Sequence, residues 1–395
     1  MKQRWLVGWL VGWLVGLALL APGAAAQTPA LTRGPYLQST TRDSTIIVWQ
    51  TNSAGDSVVE YGLTSYAQTA SNATPVTTHV ITLTGLVAGA TYQYRISTGG
   101  TTLYTATLAT APGPGGAFDF VMIGDSGFTD PPNQAQLDVA AQMLALNPDF
   151  VLHLGDVIYP SGQAPGYDPR FFMPYRDLLD QAPLFPSLGN HDYGTASGGP
   201  YLDVFYLPTN NPLGTERYYS FEWGNAHFVA LDLNQAYGPG SAMYDWLVSD
   251  LSAVTAPWKF VFFHQAIYSS GPHGFELAIR AMRDALAPVF EQQGVDVVFA
   301  GHDHDYERST PRDDYGPASR GVIYIVSGGG GADVYPVFPQ PFSAFAASVH
   351  HTVQARIEGC ILSLRAIDTS GIVFDQIALA KCPSNLYLPI ILKGL

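Results

Sequence analysis

Phe150-Val-Leu-His-Leu-Gly-Asp-Val-Ile-Tyr159 decides how this chain is read. An apolar run of strand length ends in a Gly-Asp pair, and a tyrosine follows three residues after Asp156. The same order recurs outward in both directions. Phe118-Asp-Phe-Val-Met-Ile leads into Gly124-Asp125-Ser-Gly127, and Leu184-Phe-Pro-Ser-Leu into Gly189-Asn190-His191-Asp192. Lys259-Phe-Val-Phe-Phe leads into His264, and Val295-Asp-Val-Val-Phe-Ala into Gly301-His302-Asp-His304. Continuous apolar strands of this kind are buried on both faces. With a further strand at His227–Leu231, they alternate with helix-like stretches at Asn133–Leu146, Ser241–Ala253 and Phe275–Phe290. The stretch Val322–Ala380 is again strand-rich. The pattern predicts an α/β domain over 117–382, with two packed mixed sheets and helices outside, αββα.

In open α/β sheets the ligand crevice lies beyond the carboxyl ends of the strands. Five strands would deliver Asp125, then Asp156 and Tyr159, then Asn190 and His191, then His264, then His302 and His304 to that place. A glycine before the polar residue is expected to let the chain turn sharply. Carboxylates, an amide oxygen and imidazoles suit hard or borderline cations. No cysteine falls in the set, which excludes a thiolate site. The seven candidate ligands, this set without His191, are too many for one ion with open positions but suit a pair sharing a carboxylate, an arrangement that holds a phosphoryl group between two metals.

At these residues the chain resembles the calcineurin-like metallophosphoesterases, and Tyr159 narrows the resemblance to the purple acid phosphatase family. The resemblance implies that Asp156 bridges two metal ions. Asp125, Tyr159 and His304 would complete a site suited to Fe(III), and Asn190, His264 and His302 a site for Fe(II), Zn or Mn. It implies hydrolysis of phosphate monoesters by a metal-bound hydroxide, with His191 contacting phosphate and His273 near the leaving group. A phosphodiesterase on the same site, and a surface binding protein with an inactive pocket, are the alternatives.

Residues 31–112 read differently. Thr45–Gln50, Ser57–Tyr61, Thr77–Leu83 and Thr91–Ser97 are β-branched and aromatic, alternate, and are separated by turn residues. They predict a β-sandwich of the fibronectin type III kind. Arg33-Gly-Pro-Tyr-Leu-Gln38 adds to the family resemblance, and Pro112–Gly116 reads as the linker.

The ends of the chain bear on location. Lys2 and Arg4, the apolar run from Trp5 to Leu20 and Ala24-Ala25-Ala26 read as a signal peptide over 1–26. The run is short for the roughly 20 residues a membrane span needs, so no stable span is expected after its removal. A retained anchor is the alternative. A secreted or cell-surface protein would pair its 2 cysteines, Cys360 and Cys382; two buried free thiols are the other reading. The apolar tail, 383–395, reads as an edge strand or a processed sorting segment.

Composition excludes several classes. The 395 residues carry 18 Lys+Arg against 32 Asp+Glu, a net charge of -14, without basic blocks. That disfavours nucleic acid or an anionic membrane as partner and leaves a small phosphate ester. Gly328–Gly331 lacks the Lys-Ser/Thr ending of a phosphate loop and reads as a flexible turn. His153, Asp192 and Asp232 read as supporting groups, and Arg308 as either a carboxylate partner or a substrate contact.

Overall fold

The computed structural model describes residues 28–315 and 321–382. The signal-peptide and tail readings therefore lie outside the described residues. Five strands come first: β1 (Leu31–Gln38), β2 (Ser44–Gly62), β3 (Gln68–Thr84), β4 (Thr91–Thr98) and β5 (Thr101–Ala109). The two expected strands at 45–50 and 57–61 are one long strand, β2, whose register shifts between Gln50 and Ser57. Its first half pairs with β1, its second with β4, and both halves with β3, so all five strands join in one hydrogen-bonded sheet around β2. Trp49, Val59, Ile81, Tyr94 and Ile96 form the core between them.

The remaining strands are β6 (Phe118–Ile123), β7 (Phe150–His153), β8 (Leu184–Pro186), β9 (Tyr219–Trp223), β10 (Ala226–Ala230), β11 (Trp258–Gln265), β12 (Val297–Gly301), β13 (Tyr306–Ser309), β14 (Ile323–Ser327), β15 (Ser343–Ala347), β16 (His351–Glu358), β17 (Ile361–Asp368) and β18 (Val373–Ala380). They form two mixed sheets, ordered β18-β17-β16-β6-β7-β8 and β15-β13-β14-β12-β11-β10-β9. The sheets meet face to face through aromatic side chains. Phe120 and Phe150 of one lie edge-on to Phe228 of the other, with ring centroids 5.3 Å apart in both cases.

Alternation along the strands explains the layers. Phe228, Phe260, Phe262 and Phe299 face the inner core, while Val229, Val261, Phe263 and Val298 face the helices Ala242–Ala253 and Leu277–Gln292. Helix Gln134–Ala145 covers the other sheet with Val139, Ala140 and Met143. Its N-cap, Asn133, accepts from Gln136 N at 2.9 Å, and Ser241 caps the second helix through Tyr244 N at 3.3 Å. The expected αββα architecture is the one observed.

The Arg33–Gln38 segment is the seam between the two parts. Arg33 makes a two-pronged ion pair with Asp168 at 2.5 and 2.9 Å and lies over the Phe172 ring at 4.4 Å. Tyr36 Oη donates to Val204 O at 2.8 Å. Tyr36, Val48 and Ala111 are buried in the same apolar cluster as the two-sheet core. The Pro112–Gly116 stretch thus joins parts that share a core. Cys360 and Cys382 form a disulfide that ties the start of β17 to the end of β18. Among the described residues no helix is long and apolar enough to cross a membrane.

Candidate metal centre

The parallel strands β6, β7 and β8 end side by side, and β11 and β12 end beside them in the other sheet. Pairing continues past the strand ends. Asp125 N donates to Gly155 O at 3.0 Å and Ser126 N to Asp156 O at 3.2 Å, which sets the two carboxylates next to each other. Asp125, Asp156 and His264 bring ligand atoms within 4.8 Å of one another, and all three are buried.

The other expected residues arrange themselves in two groups around this trio. On one side Tyr159 Oη lies 2.9 Å from Asp125 Oδ1 and 3.0 Å from His304 Nε2. On the other, His264 Nε2 lies 3.1 Å from Asp156 Oδ2, 3.0 Å from Asn190 Oδ1 and 3.1 Å from His302 Nδ1. His302 and His304 were expected in different groups although they stand only two residues apart. The segment is a turn, with His302 at φ +72°, and the two imidazoles go to opposite groups.

The donor set fits cations on its own chemistry. His264 Nδ1 donates to Leu154 O at 2.8 Å and His304 Nδ1 to Asp333 O at 2.8 Å. In the neutral rings this leaves each Nε2 with a lone pair aimed at further oxygen and nitrogen acceptors. Oxygens and nitrogens this close must share either a proton or a cation between them. Burial opposes charging His264, but Asp156 and Asp125 outweigh it and hold the imidazole up to about 9. Burial pushes Asp156 up, yet His264 and His191 bring it below the usual carboxylate range. His302 is driven well below its ordinary value by burial and by His264 and His273. Burial, with Asp125 and Asp156 beside it, pushes the Tyr159 phenol well above its ordinary value. A cation must therefore displace that proton to gain the oxygen.

The backbone is strained where the donors sit. Asp125, Asp156 and His302 adopt φ of +62°, +54° and +72°, a region that side chains other than glycine enter at a cost. The expectation that the preceding glycines make the turns is corrected here. Gly155 does, at φ +87°, but Gly124, Gly189 and Gly301 are outside that region, and the following residue takes it at Gly124 and Gly301. Those glycines make room instead. A Cβ on Gly189 would lie 2.0 Å from Asp156 Oδ1, and one on Gly301 2.5 Å from Asp125 Oδ2. Gly328–Gly331, expected to be a flexible turn, is packed. A Cβ on Gly328 would meet Asp303 O at 2.1 Å, and Gly330 N donates to Gly124 O at 3.0 Å.

Supporting groups fall where they were expected or are newly resolved. Both Asp192 oxygens accept from the backbone N–H groups of Val157, Ile158 and Gly189 at 3.0–3.1 Å, locking two ligand loops together. Asp232 holds Asn234, whose amide reaches Gly189 O at 3.3 Å. His153 bonds Ser126 Oγ at 2.9 Å, and burial holds it down to about 3. Arg308 pairs with Asp375 and is thus a carboxylate partner.

His191 Nδ1 donates to Pro160 O at 2.5 Å, which turns Nε2 toward Asp156 Oδ2 at 3.9 Å. His273 stands with its ring 4.2 Å from that of His302, its backbone N held by Asp303 at 3.0 Å and its Nδ1 by Glu276 at 2.7 Å. Sequence reasoning missed Tyr335, whose ring stacks on His304 at 4.1 Å. It lies in a loop without periodicity, and no local signal marks it.

The chain is similar to known phosphoesterases. Residues 118–306 match the calcineurin-like phosphoesterase family model. Purple acid phosphatase 15 of Arabidopsis thaliana is 28% identical over 64% of this chain and 53% of its own length. The probable inactive purple acid phosphatase 24 of the same plant is 28% identical over 48% of this chain and 35% of its own. The chain thus spans about half or less of the length of these relatives. The solved purple acid phosphatase PPD1 of yellow lupin superposes with TM-score 0.76 at 21% identity, covering 89% of this chain and 74% of that one, a likeness of fold.

Proposed function

With residues 118–306 belonging to the calcineurin-like phosphoesterases and the chain similar to purple acid phosphatases, we propose that it is an exported phosphohydrolase of phosphate monoesters. The observation that carries the proposal is the convergence of lone-pair donors about 3 Å apart on both sides of Asp156. Asp125, Tyr159 and His304 would hold one ion and Asn190, His264 and His302 the other, with Asp156 shared. A phenolate donor suits Fe(III) at the first position; Fe(II), Zn or Mn suits the second. When bound, the two ions would supply Lewis acidity for the attacking water and the leaving oxygen.

The chain's own residues do the rest. His191, half-exposed, faces the shared carboxylate and can donate to a phosphoryl oxygen. His273, held by Glu276 beside His302, can protonate the departing alkoxide from Nε2. Water adds to phosphorus, the ester P–O bond breaks, and an alcohol and inorganic phosphate leave. Export is supported by the reading of residues 1–26 and by the Cys360–Cys382 bond, which suits an oxidising compartment.

The test is metal analysis of the purified full chain, with turnover of mono- and bis-(4-nitrophenyl) phosphate. Two ions per chain and preference for the monoester are expected. Preference for the diester would make it a phosphodiesterase, and a loaded, inert protein would make it a binding protein. If iron fills the first position, Tyr159→Phe should abolish a visible absorption band while the protein stays folded.

A further inference from the structure

We infer that the mouth of this centre selects monophosphate esters with an uncharged, aromatic or otherwise apolar leaving group and rejects esters that carry further phosphates. The inference deepens the proposed function and rests on it. Its first support is a shortage of positive side chains. The segments around the centre, residues 124–133, 154–169, 187–199, 231–241, 266–276, 302–305 and 328–342, contain no lysine or arginine. Among the described residues, the arginines that reach these segments are already engaged: Arg283 faces Ile267 O and the Tyr268 ring, and Arg312 pairs with Asp314. Arg170 donates to Tyr159 O, Arg217 to Ser197 O while facing Tyr193 and Asp232, and Arg33 pairs with Asp168.

A phosphoryl group held between two metals needs no such help. A second or third phosphate does, and the usual partners are guanidinium forks or ammonium groups. Here it would meet Glu276, half-exposed beside His273, and the exposed Asp333 next to the His304 bond. The chain's net charge of -14 adds to that repulsion at long range.

The second support is apolar. Tyr335 presents a half-buried ring stacked on His304 at 4.1 Å and only 5.9 Å from His273. Phe275 and Phe338 are 47% and 54% exposed on the two segments that flank His273. Phe338 N donates to Ser270 O at 2.9 Å, which pins the second segment against the first. Exposed aromatic rings next to a cation site suit a substrate whose phosphate binds metal and whose body stacks on rings.

The experiment measures calorimetric affinities of the metal-loaded full chain for phenylphosphonate and methylphosphonate, and for AMP and ATP. Phenylphosphonate should bind about tenfold tighter than methylphosphonate, and Tyr335→Ala should shrink that ratio toward one. ATP should bind more weakly than AMP, with the gap closing in about 0.5 M salt. Equal binding of the two phosphonates, or ATP as tight as AMP, overturns the inference, as does a variant that loses both phosphonates in equal measure. The hydrolytic reading fails separately: if 2-naphthyl phosphate is not turned over while the phosphonate ratio depends on Tyr335, selectivity stands without catalysis. Failure of every phosphonate to bind overturns both.

Discussion

Asp156 lies between the two donor groups, so Asp156→Asn should remove the shared oxygen charge and release both ions. Elemental analysis should then find neither metal in stoichiometric amount, and turnover should fall by at least about 10³-fold. One retained ion would mean that the carboxylate is not shared. Gly189→Ala tests the same atom from outside. Its new Cβ would stand 2.0 Å from Asp156 Oδ1 and 2.2 Å from Asp156 N, while Asp156 O accepts from Ser126 N at 3.2 Å and Oδ1 from His191 N at 2.8 Å. The expected result is a folded protein destabilised by about 1–3 kcal/mol, with metal affinity lowered more than that figure implies. Thermal melts with and without added metal would separate the two effects.

At the scale of elements, the β9–β10 hairpin is clamped to the helix Ala242–Ala253 by His227. Its Nδ1 meets Glu222 at 2.6 Å and its Nε2 meets Asp250 at 2.7 Å. Burial disfavours the imidazolium, but Asp250 and Glu222 outweigh it and raise His227 to about 9. A raised folded value means that the clamp contributes fully below the unfolded value near 6.5 and is lost as pH rises through about 9. Stability should therefore drop by up to about 3 kcal/mol between pH 6.5 and 10, a loss that His227→Gln should largely abolish in denaturant titrations across that range. The strands that carry the centre were legible because each is mostly apolar and ends in a polar residue after glycine or directly. The turn at His302 was not, since its left-handed backbone is held by a contact from the loop after β6, where Asp125 Oδ2 accepts from His302 N at 2.9 Å. Tyr335 was not legible for the same reason: a loop residue gains its place from what it stacks on. The room-making role of Gly189 and Gly301 also appears only once two distant strands lie side by side.

Across the whole molecule, the sandwich and the two-sheet domain behave as one body. Arg33 has a side chain only 7% exposed, paired with Asp168 and resting on Phe172. Arg33→Ala should destabilise the protein by about 2–4 kcal/mol, and Arg33→Lys should recover only part of that, because lysine cannot make the planar two-pronged contact. A single melting transition that moves as a unit is the expected readout. Two separate transitions would show that the shared burial of Tyr36, Val48 and Ala111 does not couple the parts.

The left-handed backbone at Asp125 and Asp156 has a consequence for lineages of such chains. Asparagine enters that region more readily than most residues and brings no buried charge to be neutralised. A single carboxylate-to-amide change would therefore relax the fold while silencing the chemistry. Drift runs downhill toward sturdy, mute descendants, and only selection for turnover keeps the strained, negatively charged form in place.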